Sequence, residues 1–127
     1  MAILCGVDIV EVERIKRTLE KNGNSFKNKV FTDREVDYCE KKNSAKYQCY
    51  AARFAAKEAV SKAFGTGLSG GLSWKDIEVV NDPLGKPSVI LSGKGKELFE
   101  KLGAVSISLS LSHEKEYAVA YAVIETA

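Results

Sequence analysis

The sequence predicts an α+β fold: an antiparallel sheet packed against one long helix. Three observations carry this prediction. Helical periodicity dominates the first half of the chain, short runs rich in β-branched residues dominate the second, and the last two runs are joined by only four residues, His113 to Glu116.

Residues 2–10, AILCGVDIV, form a short apolar run that suits a buried strand. A helix follows from Glu11 to about Lys21, opened by acidic residues and closed by Lys and Arg before Asn22-Gly23. In FTDREVDYCEKK, Thr32 and Glu35 form a T-x-x-E capping box and Phe31 can staple against Val36, so a second helix starts there. A long helix begins near Ala45 and stops at Gly65, a residue suited to a left-handed C-cap. Beyond it come a strand DIEVV, a turn NDPLGKP, a strand SVILS, a short helix GKELFEKLG, and the strands AVSISLSLS and YAVAYAVIE, which form a hairpin. No repeat, low-complexity tract or linker interrupts the 127 residues, which read as one domain.

A hydrophobic content of 45% suffices for one core, and 19 basic against 17 acidic residues leave a net charge of only +2. That balance argues against a nucleic-acid partner. No apolar run approaches a membrane span, and the opening segment carries an acid and lacks a basic leader, so the expected compartment is the cytoplasm. Cys5, Cys39 and Cys49 are odd in number and lack C-x-x-C spacing, which predicts reduced, chemically silent cysteines.

The long helix contains RFAAKEAVSKAFG. Ala52, Ala55, Ala56, Ala59, Val60, Ala63 and Phe64 fall on one broad face, and Lys57, Glu58, Ser61 and Lys62 fall on the other. Glu58 and Lys62 are four apart, so an ordinary surface ion pair explains them without function. On the first strand, Leu4, Gly6, Asp8 and Val10 share a face by the period of two. Asp8 is thus a carboxylate in an apolar segment that needs a partner, and Gly6 leaves room on the same face for something to approach. If the Ala-rich helix packs closely on this strand, Glu58 can face Asp8, and two carboxylates suit Mg²⁺ with Lys62 beside the phosphates it would bind. His113, the only histidine, ends the strand that carries Ser106, Ser108, Ser110 and Ser112. It reads first as a solvated turn residue and otherwise as a phosphate contact or proton carrier at a strand end. Gly65, Gly67 and Gly70 match G-x-G-x-x-G, but a helix precedes them and a strand follows, the reverse of a dinucleotide site. A glycine loop beside Lys62 can still wrap a phosphate through backbone N–H groups.

Taken together, several motifs resemble the holo-acyl-carrier-protein synthases, the short bacterial-type branch of the phosphopantetheinyl transferases. They are G-V-D at Gly6–Asp8 with Arg14 six residues on, F-x-x-x-E at Phe31–Glu35, R-F-A-A-K-E-A-x-x-K-A at Arg53–Ala63, G-K-P at Gly85–Pro87, and S-L-S-H at Ser110–His113. They occur in the family's order over nearly the whole chain. The resemblance implies a single transferase domain over residues 1–127 that moves 4′-phosphopantetheine from coenzyme A to a serine of apo acyl carrier protein. The reaction would be Mg²⁺-dependent, release adenosine 3′,5′-bisphosphate and support fatty acid biosynthesis.

By the same resemblance Asp8 and Glu58 become metal ligands and Lys62 a phosphate contact, making Asp8, Glu58 and Lys62 the catalytic set. His113 becomes a coenzyme A contact, with Arg53 and the Gly65–Gly71 loop as further contacts. A homotrimer with active sites between subunits is implied too, and a small sheet offers few walls for so large a ligand. Arg14, Arg17 and Lys21 share a stripe of the first helix just after Asp8, where an acidic carrier would dock; dipole complementation explains Lys21 but not Arg14. A non-catalytic nucleotide-binding module and a carrier-docking module remain as alternatives.

Overall fold

The computed structural model describes residues 1–68 and 71–127. Gly70 of the G-x-G-x-x-G spacing lies outside the described residues. Strand β1 (Ile3–Glu11) opens the chain and three helices follow: α1 (Val12–Asn22), α2 (Asn24–Val30) and α3 (Asp33–Glu40). A 3-10 turn at Asn43–Ala45 leads into α4 (Lys46–Phe64), which ends on Gly65 at φ 84°. Next come β2 (Ile77–Asn81), β3 (Pro87–Leu91), α5 (Gly93–Lys101), β4 (Ala104–His113) and β5 (Tyr117–Thr126). The α+β class is as predicted. The capping box at Thr32 and Glu35 is fully formed. Helix α2 was not expected, because NSFKNKV lacks a cap signal and is only seven residues long.

The strands form two antiparallel sheets rather than one. The larger has the order β1-β5-β4 and the smaller is the β2-β3 ribbon. Inserting β5 between β1 and β4 joins the two ends of the chain, and α4 lies across β1 and β5. Gly6 sets that approach: a Cβ there would sit 1.9 Å from the Ala59 carbonyl oxygen and 2.8 Å from the Ala63 nitrogen. The space that Gly6 leaves is therefore filled by the backbone of α4. Ala55, Ala56, Ala59, Ala118, Ala120 and Ala122 are all fully buried at this seam, where small side chains permit close packing.

Only one face of β1 is buried. Ile3, Val7 and Ile9 are more than half exposed, and Tyr117 and Tyr121 of β5 are exposed on the same side. The cysteine prediction also needs correction, because Cys39 and Cys49 form a disulfide and only Cys5 is free. The turn between α3 and α4 folds these helices together and brings the two Cα atoms to 5.4 Å, within disulfide reach. Local spacing could not show that encounter.

Candidate active site

Asp8 and the α4 polar residues meet at the β1–α4 seam. Lys62 Nζ lies 3.0 Å from Asp8 Oδ1 and donates a further hydrogen bond to the Val7 carbonyl at 3.1 Å. The Asp8 side chain retains 17% exposure, so this ion pair lies at a rim. The expected Glu58–Lys62 ion pair is not formed, since Lys62 turns across the seam to Asp8 instead. Glu58 is half-buried, and its carboxyl is pushed above the usual range first by desolvation and then by the Asp8 charge. Lys62 and Arg14 act in the opposite direction. Two acids and two cations from β1, α1 and α4 thus share one field.

The polar face read from the helical wheel divides in two. Glu58 and Lys62 border the seam, whereas Lys57 and Ser61 are fully buried. Lys57 Nζ lies 2.8 Å from Glu35 Oε1, and burial lowers its pKa against the pull of Glu35. Ser61 donates to the Glu58 carbonyl at 2.7 Å. A wheel sorts side chains by chemistry and angle. It cannot show that α3 and β2 cover a face which appears wet.

A cavity of about 350 Å³ opens on the far flank of α4, lined by Tyr38, Lys42, Cys49, Arg53, Asn81 and His113 among others. Arg53 is 3% exposed. Its guanidinium stacks on Tyr38 at 4.2 Å and Nη2 donates to Asn81 Oδ1. Among the described residues its buried Nε has no hydrogen-bond partner. Burial pulls the Arg53 pKa down, opposed by Glu35 and Tyr38, yet a guanidinium stays protonated at any working pH. His113 reaches the cavity because it continues the odd-numbered, helix-facing side of β4 with Leu111, not the exposed serine side.

The predicted residues therefore fall into groups. Asp8, Glu58 and Lys62 meet at the seam, with Arg14 close enough to act on Glu58. Arg53 and His113 line one cavity. Gly65 ends α4 one turn beyond Lys62 and is exposed. Arg14, Arg17 and Lys21 are exposed on α1, where Arg17 lies 4.0 Å from Glu13. Sequence reasoning missed Tyr38, Lys42 and Asn81 as cavity residues. Asn81 opens the NDPLGKP turn, and that turn was the one available signal. Among the described residues, no three His, Cys, Asp or Glu side chains cluster as a ready metal cage.

The chain thus presents two separate polar features, a carboxylate pair with a lysine at the β1–α4 seam and, on the far flank of α4, a cavity walled by a buried arginine. Residues 4–122 match the family model for the 4′-phosphopantetheinyl transferase superfamily. A holo-[acyl-carrier-protein] synthase of Ruminiclostridium cellulolyticum is 59% identical over 124 residues, covering 98% of this chain and 92% of that protein. The crystal structure of the synthase from Neisseria meningitidis superposes with a TM-score of 0.87 at 35% identity, over 97% of this chain and 98% of that one. The Helicobacter pylori synthase, solved in complex with coenzyme A, gives a TM-score of 0.83 at 32% identity over 96% and 100% of the two chains. The chain belongs to the 4′-phosphopantetheinyl transferase superfamily, within its holo-[acyl-carrier-protein] synthase branch.

Proposed function

We infer that this enzyme transfers 4′-phosphopantetheine from coenzyme A to a serine of apo acyl carrier protein. The carrier serine oxygen bonds to the phosphorus bearing pantetheine, the bond to the bridging oxygen breaks, and adenosine 3′,5′-bisphosphate leaves while the serine proton passes to solvent. The observation that carries this reading is the Asp8–Lys62 contact beside Glu58, two carboxylates and a lysine assembled across the β1–α4 seam.

Mg²⁺ is the metal we propose for this seam. Two carboxylates with mutual repulsion fit an ion that fills its remaining positions with water and phosphate oxygens, and the absence of a third ligand among the described residues is compatible with it. When bound, the ion would neutralise pyrophosphate charge. Asp8 and Glu58 would hold it, and Lys62, half exposed, could then turn from Asp8 toward a phosphate. Arg53 and His113 bind the nucleotide end of the coenzyme, supported by their shared position on the cavity wall. Gly65, which ends α4 one turn beyond Lys62, supplies a further coenzyme contact. Transfer through a loose transition state needs mainly positioning and charge neutralisation, which these side chains supply.

The acidic carrier docks on Arg14, Arg17 and Lys21, with the proximity of Arg14 to Glu58 as support. The working unit is a homotrimer with sites between subunits, supported by the exposed apolar face of β1 and β5. The whole chain serves as one catalytic domain in cytoplasmic fatty acid biosynthesis. No helix among the described residues is long and apolar enough to cross a membrane.

Mass spectrometry of apo carrier incubated with this protein, coenzyme A and Mg²⁺ tests the reading. The expected result is a phosphopantetheine mass gain that exhaustive chelation abolishes. An unchanged carrier mass would instead favour a binding module.

A further inference from the structure

Lys57 and Glu35 take no part in the transfer as described, yet both are fully buried and ionic. Besides Glu35, Lys57 Nζ meets two backbone carbonyls, Ile77 at 2.5 Å and Trp74 at 3.1 Å. Those three partners exhaust the donors of an ammonium group. Glu35 Oε1 also accepts the Thr32 N–H at 2.9 Å, and Oε2 accepts the Val79 N–H at 2.8 Å. Three of these four backbone partners, Trp74, Ile77 and Val79, belong to the segment that runs into and along β2.

A buried ion pair is weak evidence for stability, since apolar side chains of similar volume often serve as well. Apolar side chains cannot, however, grip backbone groups at chosen positions. β2 needs such a grip, because among the described residues its only strand partner is β3 and an isolated two-stranded ribbon is marginal. Two residues beyond Val79 on β2 lies Asn81, the acceptor for Arg53 Nη2. Arg53 in turn lies one helical turn before Lys57 on α4. Two rungs thus tie β2 to α4, a buried one at Lys57 and Glu35 and one at the cavity wall.

We propose that Glu35 and Lys57 are a positioning pair for coenzyme binding, holding β2 in the register that brings Asn81 to Arg53. The pair touches neither coenzyme nor carrier and acts through Asn81. This inference rests on reading the Arg53 cavity as the nucleotide subsite, and the test separates the two.

The probe is adenosine 3′,5′-bisphosphate, with affinity measured by calorimetry and kcat and KM measured for transfer to apo carrier. Asn81→Ala is expected to weaken bisphosphate binding about tenfold, the scale of one hydrogen bond to a charged group. The double variant Glu35→Gln/Lys57→Met should match that loss, with the coenzyme KM raised, the carrier KM unchanged and kcat within about twofold of wild type. Adding Asn81→Ala to the double variant should cost nothing more, since both changes break one linkage. Wild-type affinity in a double variant that melts earlier would reduce the pair to a structural role and overturn the proposal. Fully additive losses, or an Asn81→Ala variant that binds normally, would overturn it too. If the double variant does not fold, Glu35→Gln alone takes its place in the same cycle. Arg53→Ala with undiminished bisphosphate affinity would refute the subsite reading itself, whereas loss there with no loss in the pair variant refutes only the positioning role.

Discussion

Glu58 is held in an unfavourable state: desolvation and the Asp8 charge outweigh Lys62 and Arg14 and raise its pKa above the ordinary 4.5. Between the unfolded value and this raised one, the folded state binds more proton than the unfolded, so stability falls as pH rises through that window. Glu58→Gln should therefore melt higher than wild type at neutral pH in the presence of a chelator, with the advantage vanishing below about pH 4, where both states are protonated. If the seam is the Mg²⁺ site proposed above, Mg²⁺ should narrow the gap by stabilising the wild type, which keeps both carboxylates. Thermal melts across pH, with and without Mg²⁺, provide the measurement, and a pH-independent difference would contradict this account of the site. The same substitution should reduce transfer about 10²-fold or more, as expected for losing a charged partner of the transition state.

The packing of α4 against β1 depends on Gly6. The backbone of α4 approaches so closely that a methyl group at this position would collide with the Ala59 carbonyl. Backbone cannot yield as a flexible side chain can, so Gly6→Ala must push the helix away from the strand. The expected cost is about 1–3 kcal/mol or more, as for other overpacked cores. Asp8 lies two residues on and Glu58 beside Ala59, so moving the helix also parts the carboxylates. Urea denaturation should show the lost stability, and a Mg²⁺ titration of the transfer rate should show a raised metal requirement. A Gly6→Ala protein with wild-type stability would mean that the seam is looser than the geometry indicates.

One face of the larger sheet is covered by α4 and the other carries Ile3, Val7, Ile9, Tyr117 and Tyr121 in the open. Val7 and Tyr121 are direct cross-strand partners at its centre. An apolar face of this kind on a 13.9 kDa chain favours assembly. Sedimentation should find a trimer, and Tyr121→Asp should shift it toward monomer and lower transfer activity, because sites between subunits come apart. An active monomer in the wild type would sink the intersubunit reading.

The sequence by itself determined most of the elements, α2 excepted, and the local signals that start and stop them. Capping at Thr32, the stop at Gly65, the hairpin at His113–Glu116 and the alternation that sets Asp8 among apolar residues are all local, so neighbours along the chain suffice to express them. The approach of Asp8 to Glu58 was legible only as a condition on close packing of the Ala-rich helix, and Gly6, read as room for something to approach, is filled by the α4 backbone. Tertiary structure alone decided the rest. Lys57 reads as a wet lysine until α3 and β2 cover it, Lys62 reads as a partner of Glu58 until β1 offers Asp8, and Cys39 meets Cys49 only after two helices fold back. Each of these outcomes depends on which surface another element buries, a long-range contact that no periodicity along a single segment records.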